Sequence, residues 1–437
     1  MGVKVVNVTD FSELAVKTYK EGKIWTEAFA KAFACGGEIR IPAGRYYIDK
    51  SLIVKSETKI IAEKGAEIIL VKGVKTLLLR NERVADGSDY PVPEGFKRNE
   101  NVHIEGGTWG EENTERLGYG KSGCFDEENS VKGVSACFLF CNVNNLTLKN
   151  LTFCSTAGFA VQTGEICGFN IENIQFNGCF ADGLHVNGNV KNGKITNLHG
   201  HTEDDLIALN MYDWDNSSIN FGGLENVVVD GIYPEGGENA HKSVRIQPGI
   251  YRYKDGSYAD CYVKNLTIRN VCGITSFKMY LQTPAYIDKP EKEIGVGRIE
   301  NVIFENISAD TREPVDKQRN YLNSDPVTGC FATFEIGSNV SGMKLINVKT
   351  KLDKEKYPYS YLITVGPKSC YISEKGLELF DPYVRCKAEG LSYENVFING
   401  KRQEDISPFV KEVSFDNLYP SKLPFGRGKI GDIKKIK

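Results

Sequence analysis

Ten short stretches of this chain repeat one pattern: apolar, any, apolar, any, Asn or Gly, apolar. The first begins at Val102 and the last at Val413, with copies around Leu146, Ile171, Gly193, Val227, Leu266, Val302, Met343 and Leu391. The Gly193 copy is the loosest match. Asn150, Asn173 and Asn197 follow one another at 23 and then 24 residues, and later gaps are longer. A fixed period near this length is the signature of a solenoid. Alternating apolar residues give each copy the period of a strand, and each is too short for a helical repeat. One strand per copy, always in the same sense, winds into an all-β, right-handed parallel β-helix. Its coils would stack roughly 4.8 Å apart. Residues one period apart in sequence then become neighbours on one face.

A solenoid is one long unit whose coils bury each other, so all 437 residues are expected to form a single domain. Residues 1–37 read as an N-terminal cap region, 38–420 as coils with loop insertions, and 421–437 as a short basic, frayed tail. Hydrophobic residues at 41 % supply ample core, while a net charge of −3 gives no global basic field for nucleic acid or a membrane surface. No apolar run is long enough to span a bilayer, and no leader is visible at the N-terminus, so a cytoplasmic location is expected. Twelve cysteines without a CxxC pair argue against a zinc knuckle or redox motif. They read as buried, reduced thiols. No motif asks for a cofactor or a metal.

Trp25, Phe29 and Phe33 recur at helical spacing before Gly36-Gly37, so residues 25–35 read as an amphipathic helix that covers the open end of the solenoid. A strand, a Pro/Gly turn and a second strand follow over residues 38–48, with further strands at 52–54 and 59–62. Four polar insertions, at 81–99, 110–132, 282–296 and 311–328, contain Arg116, Tyr119, Tyr286, Arg319 and Tyr321. Long loops on a stiff scaffold are where binding specificity resides. The Asn of Asn145, Asn150, Asn265 and Asn306 falls at repeat positions, where stacking in the turn of each coil fits better than glycosylation.

The chemistry concentrates in Ala181-Asp182-Gly183-Leu184-His185 and His201-Thr202-Glu203-Asp204-Asp205. Asp182 precedes Asp204 and Asp205 by 22 and 23 residues, one full coil. The solenoid therefore brings three carboxylates into one patch. Like charges that close raise at least one pKa, so one group keeps a proton while others stay ionised. Glycoside cleavage needs that asymmetry, an acid for the leaving oxygen and a base for water or a nucleophile. Read alone, Asp-Gly is a turn pair and Asp204-Asp205 a solvated or capping pair; the spacing joins them. Four of the five histidines, His185, His199, His201 and His241, lie close by in sequence. Downstream, Arg245 and Gln247 alternate on one strand, the Arg fork suiting a substrate carboxylate or crowded hydroxyls. Tyr280, Tyr212 and Trp214 are candidates for sugar stacking, with core packing the competing role.

These residues resemble the polygalacturonase-like glycoside hydrolases of family 28, whose members share a pectin-cleaving right-handed β-helix. The motifs at Asp182, Asp204-Asp205 and Arg245-Ile246, and the entry segment ending Ile-Pro-Ala-Gly-Arg-Tyr, carry the likeness over about residues 24–310. The resemblance implies inverting hydrolysis, with Asp204 as general acid, Asp182 and Asp205 activating water, and Arg245 binding substrate. His185, His201, Gln247 and Tyr280 are the further candidate substrate contacts. Phe180-Ala181 stands in place of the family's Asn-Thr, Glu203 in place of Gly or Gln, and Gln247 in place of Lys, while the Gly-His-Gly motif is missing. The pattern fits a divergent relative acting on another glycan, pectin-type or related. Two other readings stay open: a polysaccharide lyase or uronate epimerase, in which the carboxylates would hold Ca²⁺, and a non-catalytic glycan-binding β-helix.

Overall fold

The computed structural model describes residues 4–114, 134, 136–213, 217–236, 242–280, 296–312, 331–366, 385–413 and 427–436. The chain is an all-β, right-handed parallel β-helix, divided into two compact units. The first comprises Met1–Leu206 with Trp214–Asn220, and the second Ile207–Asp213 with Phe221–Lys437.

In the first unit the repeat copies stack in register. Leu148 of the strand Ala136–Cys154 lies opposite Ile104 on one side and Ile171 on the other, and Ile171 lies opposite Ile195. These alternate apolar residues point inward and are fully buried, which is the main driving force for the coil. The loose fit at Gly193 has a steric reason: a Cβ there would lie 1.9 Å from the Phe169 ring stacked over it. In the second unit Val229, Ile268, Phe304, Leu345 and Tyr393 form the corresponding inward row.

Each coil holds more strand than the repeat alone announces. Phe159–Cys179 pairs with both Leu184–Val186 and Val190–Thr202. A three-residue strand such as Leu184–Val186 is too short to display a period in sequence. The Asn or Gly of each described copy occupies left-handed backbone, which bends the long strands, and the pairing resumes on the far side of it. Asn150, Asn173 and Asn197 have φ of 56°, 55° and 53°. Asn tolerates this region because its short polar side chain bonds locally. Here each side chain also bonds the next coil: Asn173 Nδ2 donates to Asn150 Oδ1 and Asn197 Nδ2 to Asn173 Oδ1, both at 3.0 Å. The second unit repeats the device from Asn270 through Asn306 and Asn347 to Asn395.

The expected N-terminal helix is Thr26–Ala34, with Ala28, Phe29, Ala32 and Phe33 buried. Phe29 and Trp25 each meet the Tyr46 ring edge to face. Before it, Val5–Asn7 pairs with Gly37–Ile41, so strand structure begins earlier than the cap region suggests. The C-terminal end departs from expectation. Arg427–Ile430 and Ile433–Lys435 are paired strands, not a frayed tail, and Ile433 is the register partner of Leu391. Val413 is not; its N–H bonds the carbonyl of Val365. Residues 414–418 of that copy lie outside the described residues, as do Arg116, Tyr119, Tyr286, Arg319 and Tyr321. All nine described cysteines are free thiols. Among the described residues no helix is long and apolar enough to cross a membrane.

Candidate active site

Asp182 follows the strand Phe159–Cys179, and Asp204-Asp205 follows Val190–Thr202, so both acidic segments leave equivalent strands one coil apart. Backbone bonds fix the overlap. Ala160 N–H donates to the Asp182 carbonyl and Gly183 N–H to the Asp205 carbonyl, each at 3.0 Å. Gly183 is needed for close approach, since a Cβ there would lie 2.7 Å from the Leu206 carbonyl oxygen. Thr202 Oγ1 donates to the Asp204 carbonyl at 2.6 Å, which shapes the turn carrying the acidic pair.

The three aspartates meet as the spacing requires: one carboxylate oxygen from each lies within 4.8 Å of the others. They are not equivalent. Asp205 is fully buried and Asp182 nearly so, whereas Asp204 is partly exposed. The patch thus offers one reachable carboxyl backed by two buried ones, narrower than the open trio the sequence suggests. Burial pushes the Asp182 carboxyl up to about 6, and the Asp204 charge adds to this, while the hydrogen bond from His185 opposes it. A group at that level changes charge in mildly acidic solution.

Both Asp182 oxygens are engaged. Oδ1 accepts the Asp205 N–H at 3.0 Å, and Oδ2 lies 2.6 Å from His185 Nδ1. A divalent cation needs carboxylate oxygens this close, but one bound at Oδ2 would have to displace His185. His185 itself is 1 % exposed and lies flat on Phe159, ring centroids 3.9 Å apart. It stands behind Asp182. Its other nitrogen, Nε2, is 3.2 Å from Asn187 Nδ2, and Asn187 Oδ1 accepts from Gln162 Nε2 at 2.9 Å. Sequence reasoning missed Gln162 and Asn187. The signal was the period that joined the aspartates, because Gln162 is the register partner of His185.

His201 sits opposite Asn177 on Val190–Thr202, with Nε2 buried and without a hydrogen-bond partner among the described residues. In the second unit, Arg245 and Gln247 occupy alternate positions of the buried strand Ser243–Gln247. Arg245 is the register partner of Lys278, and Gln247 Nε2 donates to the Tyr212 carbonyl at 2.7 Å. Tyr280 and Tyr212 are buried, Tyr212 packing with Phe221 and Tyr251 in an aromatic cluster of that unit. Trp214 and His241 lie outside the described residues.

No family model and no curated protein matches the chain. Solved structures similar to it include an iota-carrageenase complexed to iota-carrageenan fragments, at 12 % identity over 93 % of both chains with a TM-score of 0.43. A family 28 exopolygalacturonase of Yersinia enterocolitica shares 12 % identity over 94 % of this chain and 78 % of its own, with a TM-score of 0.42. The pre-mature bacteriophage phi29 gene product 12 shares 14 % identity over 98 % of this chain, TM-score 0.49, and this chain spans 52 % of that one. Likenesses at this level carry no weight for function. The fold rests on the pairing registers.

Proposed function

We propose that the Asp182–Asp204–Asp205 patch hydrolyses a glycosidic bond. Asp204, the reachable carboxyl, protonates the leaving oxygen, and Asp182 with Asp205 polarises the attacking water. The observation that carries this reading is the closeness of the three carboxylates, within 4.8 Å, with only one of them partly exposed. Three carboxylates at that distance do not all ionise together, so the patch holds both an acid and a base in mildly acidic solution. The chemistry asks for that pairing: an acid to protonate the departing alkoxide and a base to take the proton of water.

The nearest carboxylate oxygens lie within 4.8 Å, nearer the roughly 5–5.5 Å of retaining pairs than the roughly 6.5–9.5 Å of inverting ones. Inversion is the outcome the family resemblance implies, and anomeric NMR of the first product reads it directly. The central test is Asp204→Asn with turnover of pectic, fructan and hemicellulosic oligosaccharides as the readout. The expected loss of reducing-sugar release is at least about 100-fold, the lower range for removing an acid–base group. The circular dichroism spectrum should be unchanged. Full activity in this variant, or unsaturated products with turnover abolished by a chelator, would overturn the assignment.

A further inference from the structure

We propose that His185 is a positioning residue, held in its neutral Nδ1–H form by Asn187 and Gln162 so that Nδ1 donates to Asp182. This deepens the hydrolase reading and rests on it for the reaction, but the lock is legible in the geometry alone.

The orientation of every group in the chain is fixed from its far end. The Ser217 carbonyl can only accept, so the Gln162 atom facing it at 3.1 Å is the NH₂ nitrogen. The Ile219 N–H can only donate, so the Asn187 atom it meets at 3.1 Å is the carbonyl oxygen Oδ1. Gln162 Nε2 donates to the same oxygen. The Asn187 nitrogen is therefore the atom facing His185 Nε2. An amide NH₂ has no lone pair to offer. The ring nitrogen opposite it must accept, which places the single ring proton on Nδ1, beside Asp182 Oδ2. Two backbone groups thus determine, through two side-chain amides, where the imidazole proton sits.

The consequence concerns the patch. A second proton, on Nε2, would face the Asn187 NH₂ group. The proton that the site passes to and from substrate therefore stays among the aspartates. The ring is buried and held against Phe159, so it keeps the Asp182 carboxylate in one orientation while Oδ1 is held by the Asp205 N–H. Among the described residues, His185, Asp204 and Asp205 are titratable neighbours that bear on Asp182.

The wild-type protein supplies the first test, without substrate. Nitrogen-15 NMR of the histidine rings at neutral pH should show His185 protonated at Nδ1 and bare at Nε2; an Nε2–H tautomer or an imidazolium would overturn the proposal. Asn187→Asp puts an acceptor opposite Nε2, and the ring should then carry protons on both nitrogens; an unchanged ring would mean that Asn187 does not set the tautomer. For the positioning role, His185→Asn keeps a donor where Nδ1 lies, and His185→Phe keeps the ring but no donor. The Phe variant should lose roughly 10–100-fold in kcat with KM little changed, the range for loss of an orienting partner, and the Asn variant should recover most of it. Equal kcat in wild type and His185→Phe would remove His185 from the mechanism. Absence of glycan turnover by the wild type would instead retire the hydrolase reading, and the ring spectrum would then judge the lock on its own.

Discussion

Glu111 and Asp182 show how burial acts on single carboxyls in the first unit. Glu111 accepts the Ala157 N–H at 3.0 Å, and burial pushes its carboxyl up to about 7. Its folded value lies above its ordinary one, so the folded chain holds that proton more tightly than the unfolded chain does. The associated stability is complete below about pH 4.5 and is lost as pH rises through about 7. Glu111→Gln should therefore be more stable than wild type at about pH 8, by about 3 kcal/mol, and equal to it at about pH 4. Urea unfolding at the two pH values measures both. Asp182 follows the same rule with a catalytic readout. The His185 donor opposes the rise of its pKa, so His185→Phe should move the acid limb of kcat/KM to higher pH. A limb that stays in place would show that the donor has no bearing on the ionisation of Asp182. Sequence spacing found the aspartates because a coil puts them in register. It passed over Gln162 and Asn187 because buried amides carry no charge pattern.

At the scale of elements, the repeating Asn is both a bend and a strut. At Asn173, φ is 55°, and the side chain bonds Asn150 and Asn197 in the coils on either side. Asn173→Gly removes the bonds and relieves the backbone, whereas Asn173→Ala removes them and keeps a Cβ in left-handed backbone. That second term is worth roughly 1–2 kcal/mol, so the Ala variant should unfold at lower urea than the Gly variant. Equal midpoints would show that the amide ladder alone, not the backbone bend, selects Asn. The repeat was legible in sequence as Asn or Gly every coil. The short strands between copies were not, since three residues of Leu184–Val186 cannot reveal a period.

For the molecule as a whole, the exposed ends of a stack of coils are its liability. The helix Thr26–Ala34 buries Phe29 and Phe33 at the N-terminal end of the first unit, where Phe29 also meets the Tyr46 ring. Phe29→Ala should cost about 3–5 kcal/mol by cavity formation and loosen the cap over an unpaired apolar coil. Self-association would follow, seen as a lower melting temperature together with increased light scattering. A destabilised but strictly monomeric variant would show that the helix fills the core without guarding the end.

The sequence by itself determined the coil. Period, alternation and turn residues are local, and stacking equal coils leaves one register that buries every apolar row, so Asp182, Asp204 and Asp205 had to meet. Only the tertiary structure decided how deep each would lie, because depth depends on side chains from other coils that no period records. It also decided which amide atom faces His185 Nε2, through backbone groups at Ser217 and Ile219, and the pairing of Ile433 with Leu391. Those partners are joined by the path of the chain between coils, and the spacing of repeats does not encode that path.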